Sequence, residues 1–77
     1  MKTLQNFTAI IEKEDETFVA LCPELDVASQ GDTVEEAKNN LQEAIELLLE
    51  HASKSELSRR LKKDLFITNM QIPVEQV

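Results

Sequence analysis

The sequence predicts the α+β fold class, in the order β-β-β-α-β, with one main helix packed on a four-stranded mixed sheet. Three observations lead there. Short β-rich runs broken by turn residues fill the chain before Gly31; a stripe of apolar residues at helical spacing runs from Val34 to Ala52; an alternating run returns between Asp64 and Ile72. In a chain of 77 residues, folding buries only about 60–65% of the unfolded surface, so residues 1–77 are expected to form a single domain around one core.

The first strand is expected between Leu4 and Lys13, where Phe7, Ala9 and Ile11 share one period-two face and Thr8, Ile10 and Glu12 the other. Glu14, Asp15 and Glu16 turn the chain. Thr17 to Cys22 is apolar on both faces, with Phe18, Ala20 and Cys22 opposite Val19 and Leu21, as in a covered central strand. Pro23 has no amide hydrogen to extend a central ladder, so Pro23-Glu24-Leu25 closes that strand and leads into a short third one near Asp26 to Gln30. Gly31, the single glycine, marks the turn from strand to helix, a place where positive φ is often needed.

The helix start carries the clearest local signal. Thr33 and Glu36 have capping-box spacing: the hydroxyl accepts from a first-turn amide and the glutamate reaches back to the cap amide. Asp32, Glu35 and Glu36 suit the positive end of the helix dipole. Val34, Ala37, Leu41, Ala44, Ile45, Leu48, Leu49 and Ala52 form the core stripe, with Glu36, Asn39, Glu43, Glu46 and Glu50 opposite. Beyond Ala52, Ser53 and Glu56 allow either a continued helix or a capped second one, and a break is favoured. Arg59, Arg60, Lys62 and Lys63 suit a helical C-terminus. Phe66, Thr68, Met70 and Ile72 then alternate with Leu65, Ile67 and Asn69 in the expected fourth strand, which a helical crossover would set parallel to the first.

Composition narrows the function classes. Apolar residues are 42% and charged residues 30%, which fits a globular chain, and fifteen acids against eight bases give a net charge of −7. Phosphate attraction is electrostatic, so nucleic acid is disfavoured as the primary ligand and a basic protein partner is favoured. Cys22 is the lone cysteine, which excludes an internal disulfide and points to a reducing compartment. Met1 to Asn6 lacks an apolar signal core, and no stretch approaches the roughly 20 apolar residues that span a bilayer, so a cytoplasmic protein is expected.

No catalytic, cofactor or metal site is expected. Metal-dependent hydrolysis needs convergent carboxylates, whereas Leu4 to Ile11 carries no acid and the helix acids lie opposite the core stripe. Cys22 has one candidate base, His51, at the far end of the helix, and so reads as a small core residue. A single histidine without ligand companions at metal-binding spacing makes no site. The Arg59-Arg60-x-Lys62-Lys63 cluster is short and free of aromatics, and reads first as dipole compensation, then as a contact for another subunit, and last as a nucleic-acid contact.

The runs Phe18 to Leu25 and Ala28 to Thr33, followed by Glu35-Glu36-Ala37 and Asn40-Leu41, resemble the HicB-like antitoxin family. The resemblance covers roughly residues 5–52 by motif and the rest by element order. It implies a partial ribonuclease H-like fold and the antitoxin role of a type II toxin–antitoxin pair, the partner being a small basic, mRNA-cleaving toxin of the HicA type. Many members carry an operator-binding segment after the core; residues 53–77 are expected to be used up by a short basic segment and a strand, with no separate DNA-binding domain. Some short relatives stand alone, so the alternative is an oligomeric binding module without toxin or catalysis.

Two surfaces are singled out. Glu36, Glu43, Glu46 and Glu50, with Leu47 beside them outside the core stripe, are the candidates for partner binding, against the plainer reading that the acids only solubilise the helix. Ile10, Val19, Leu21, Leu65 and Ile67 make the second sheet face apolar, and one helix cannot cover both faces. A homodimer or higher oligomer through that face or an edge strand is therefore expected, unless Ser53 to Lys63 folds back over it. Gly31, Thr33 and Glu36 are assigned structural work at the helix start.

Overall fold

The fold is taken from a computed structural model that describes residues 4–61 and 64–76. Its elements are β1 (Ile10–Glu14), β2 (Thr17–Cys22), β3 (Val27–Gly31), α1 (Val34–His51) and α2 (Lys54–Leu61). The arrangement is β-β-β-α-α, with a three-stranded antiparallel sheet in the order β1-β2-β3.

This corrects the expected β-β-β-α-β fold with its four-stranded mixed sheet. Residues 64–76 hold no strand among those described and are exposed throughout. Alternation is a local pattern that fits a residue to a half-buried surface without supplying a partner strand. The single main helix also becomes two. The break comes where Ser53 caps α2: its Oγ accepts from the Glu56 amide at 3.1 Å, and its carbonyl from the Leu57 amide at 3.0 Å. Glu56 does not reach back to the cap but pairs with Arg60 one turn on, at 3.2 Å.

β2 runs over the expected span, whereas β1 begins at Ile10 and not at Leu4. The β1–β2 turn places Asp15 at φ 54°, and the β2–β3 turn places Asp26 at φ 59°. Both are left-handed positions, which aspartate tolerates because its short side chain can bond locally. In the second turn the Asp26 amide donates to the Cys22 carbonyl at 2.9 Å. That tight reversal swings Leu25 inward, where it is fully buried.

Register decides the two faces. Ile11 lies opposite Ala20 and Ala20 opposite Ser29, while Cys22 faces Val27, so these residues share the face that meets α1. The core is Ala20, Cys22, Leu25, Ala37 and Leu41, with Phe7, Ile11, Phe18, Val27, Ile45 and Leu48 packed around it. The helical stripe is narrower than the sequence predicts: Val34 is 50% and Leu49 38% exposed. Leu49 sits at the margin of the stripe, whereas Val34 lies near its centre but is the first residue of α1, at the end of the helix.

Gly31 also departs from expectation, since its φ is not positive. Space is what requires glycine there. A Cβ would stand 2.6 Å from the Ala37 nitrogen and 2.9 Å from the Glu36 carbonyl carbon, so the missing side chain lets β3 lie directly on the first turn of α1. Asn40 reinforces the contact by donating to the Gln30 carbonyl at 2.8 Å.

Candidate functional site

The capping residues come together at the start of α1. Thr33 is the N-cap, in extended backbone at φ −135°, and its Oγ1 accepts from the Glu36 amide at 3.0 Å. The Glu36 carboxylate reaches back one residue further than a capping box requires and accepts from the Asp32 amide at 3.1 Å. Thr33 thus satisfies a first-turn donor and Glu36 the amide just before the cap, and Gly31 packs against Glu36 and Ala37.

That engagement separates Glu36 from the other partner-binding candidates. Glu43, Glu46, Leu47 and Glu50 line one shallow depression along α1, while Asn39, Gln42, Glu43 and Glu46 line the next. All are exposed, Leu47 at 57%. Positions three and four apart share a helix face, so the three glutamates surround an apolar spot in a carboxylate ridge. The ridge lies on the solvent side of α1, away from Ala37 and Leu41.

The oligomer candidates divide into two groups. Ile10 and Leu21 are cross-strand partners, Leu21 and Ala28 the next pair, and Val19 stands two residues along β2 on the same outer face. Ile10 is 41% and Leu21 37% exposed, so α2 does not cover this face. Leu65 and Ile67 do not belong to the sheet; they lie on the exposed segment without regular secondary structure after α2.

A polar cluster that the sequence reading passed over ties the N-terminal segment to the β2–β3 turn. Glu24 accepts from the Thr8 amide at 3.1 and 2.9 Å and from the Thr8 hydroxyl at 2.6 Å, and the Cys22 thiol lies 3.5 Å from its carboxylate. Partial burial raises the carboxyl pKa, but the bonds from Thr8, its own backbone and Cys22 outweigh it, so Glu24 titrates below the usual carboxylate range. Cys22 moves the other way. Burial pushes the thiol up, and the hydrogen bond and charge of Glu24 add to the rise, so the group stays neutral and packs as a small apolar residue. The partners lie sixteen residues apart, a separation that local pattern does not bridge. At Thr8 the amide goes to the Glu24 carboxylate and not to a strand ladder, and β2 ends at Cys22, so the segment before Ile10 has no strand to pair with.

His51 is exposed at the end of α1. Among the described residues no group of three or more histidine, cysteine or acidic side chains is placed to hold a metal, and no helix is long and apolar enough to cross a membrane. In the basic cluster, Arg60 is committed inside the protein, donating to the Leu25 carbonyl and to Glu56. Arg59 is exposed; Lys62 and Lys63 lie outside the described residues.

No family model matches the chain, and no solved structure does. Curated relatives do. The chain is similar to a UPF0150 protein of Synechocystis sp., 43% identical over 75 residues that cover 95% of this chain and 94% of the relative. It is also similar to a UPF0150 protein of Helicobacter pylori, 40% identical over 65 residues that cover 83% and 90% of the two chains. A second Synechocystis UPF0150 protein is 53% identical over 45 residues, 56% of this chain and 62% of that one. Identity at this level along nearly the whole length places the chain in the UPF0150 family.

Proposed function

We propose that this chain is a HicB-like antitoxin that binds and occludes a small, basic, mRNA-cleaving toxin of the HicA type in the cytoplasm, without chemistry of its own. The observation that carries the reading is the ridge of Glu43, Glu46 and Glu50 around the exposed Leu47. It unites the charge that would steer a basic partner with an apolar contact that would hold it. The net charge of −7 and the motif resemblance from Phe18 to Leu41 support the same role. Glu36, spent on the Asp32 amide, drops out of the binding set.

The test is co-expression with the protein encoded by the neighbouring reading frame. A small basic protein that is toxic alone, co-purifies with this chain and loses its RNA cleavage in the complex is the expected result. Failure to co-purify removes the antitoxin reading and leaves the stand-alone oligomeric module, which the uncovered outer-face residues Ile10 and Leu21 favour.

A further inference from the structure

Residues 64–76 are exposed throughout. Phe66 is 88%, Met70 83%, Ile72 66% and Val74 82% exposed. Leu65 to Val74 carries no charge, and among the described residues no backbone hydrogen bond joins this segment to a strand. The radius of gyration is 15.3 Å, against about 11 Å for a compact chain of this length, and the principal extents are 51 × 29 × 19 Å. An uncharged, exposed apolar segment that joins no strand among the described residues is complementary to an open sheet edge.

The two edges of the sheet are not equivalent. β3 lies under α1, with Gly31 closed on Ala37 and the Gln30 carbonyl taken by Asn40. Among the described residues β1 has only β2 beside it, and its first residue, Ile10, opens the apolar outer-face row of Ile10, Leu21 and Ala28. From this we propose that two copies of the chain form a dimer by exchanging arms, the segment Leu65 to Ile72 of each lying along the free edge of β1 of the other and reaching its outer-face row.

Length, charge and area fit a second copy. Eight extended residues span about 26 Å and the five of β1 about 17 Å, so the arm covers the whole edge; Pro73, lacking an amide hydrogen, ends the pairing stretch. The arm is uncharged and adds no repulsion between copies each bearing −7, and the edge it meets carries Glu12, Lys13 and Glu14, a net single negative charge. The apolar side chains of two arms bury on the order of 1,000 Å², near the lower bound for a specific interface. Each arm meets the same edge of its partner, so the contact is two-fold and closed.

The purified chain without any toxin tests this. Light scattering at micromolar concentration is expected to give twice the 8.7 kDa chain mass, and the double variant Phe66→Glu, Met70→Glu to give one chain mass with the helical circular dichroism signal retained and only the strand contribution of the arms lost, because both side chains are exposed in the single copy. Met70→Cys and Glu12→Cys variants, mixed and treated with a short bis-maleimide, are expected to yield the mixed covalent dimer while buried Cys22 stays unlabelled. A monomeric parent chain, a dimer indifferent to the two glutamates, or absence of the mixed dimer overturns the proposal. So does internal cross-linking in a chain carrying both cysteines at high dilution, since the arm would then lie on its own sheet.

Discussion

Gly31 lies so close to α1 that a Cβ on it would stand 2.6 Å from the backbone nitrogen of Ala37. The obstructing atoms are largely backbone, which cannot rotate away. Gly31→Ala therefore separates β3 from the helix or shifts the first turn. The substitution is expected to destabilise the fold by about 1–3 kcal/mol, more than is regained from restricting the unfolded chain. Urea denaturation read by circular dichroism measures the loss, and a neutral or stabilised variant would show that the turn yields.

Thr33→Ala removes the acceptor for the Glu36 amide and is expected to cost about 1 kcal/mol. Its role is structural, so under native conditions the folded variant keeps its partner affinity. A variant with the parent's melting temperature that has lost its partner would assign Thr33 to the interface instead.

Glu24 links the pH response to the fold. Its carboxyl titrates below the ordinary range when folded, so the unfolded chain binds the proton more readily. The stabilisation is complete above the unfolded value, about 4.3, and disappears as pH falls through the lower folded value. Glu24→Gln is expected to be less stable than the parent at pH 7 and to approach it on acidification. Thr8→Val should do the same through loss of the hydroxyl bond. Parallel denaturation curves at pH 7 and pH 3 decide, and an equal gap at both would refute the linkage.

Cys22 is fully buried with its thiol pushed up, so its folded pKa exceeds its unfolded one. This contribution to stability is present below the unfolded value, about 8.5, and is lost as pH rises through the folded value. Alkylation by iodoacetamide at pH 8 should be slow in the native chain and fast in urea. Rapid native labelling would mean that the core opens at β2.

Within the antitoxin reading, Glu43→Gln, Glu46→Gln and Glu50→Gln combined should slow association with a basic partner about tenfold at low salt, with a smaller effect on dissociation. Leu47→Ala should act the other way, on dissociation. Surface plasmon resonance at two salt concentrations separates the two effects, and unchanged kinetics in all variants would move the binding surface elsewhere.

The sequence by itself determined what depends on neighbours a few residues apart. The span of β2, the cap at Thr33, the start of α1 and the break at Ser53 all follow from local spacing and hydrogen-bonding chemistry, and the acidic ridge with Leu47 in it follows from helical periodicity. Tertiary structure decided the rest. Alternation in Leu65 to Ile72 resembles a strand, but a strand requires a partner, and among the described residues the sheet of the single chain has three members. Glycine at position 31 reads as a backbone turn, yet only packing of β3 on α1 reveals that space, not φ, demands it. Glu24 looks like a turn acid until the fold brings Thr8 to it across sixteen residues. Contacts between distant segments are selected by how surfaces meet, and no local period encodes that.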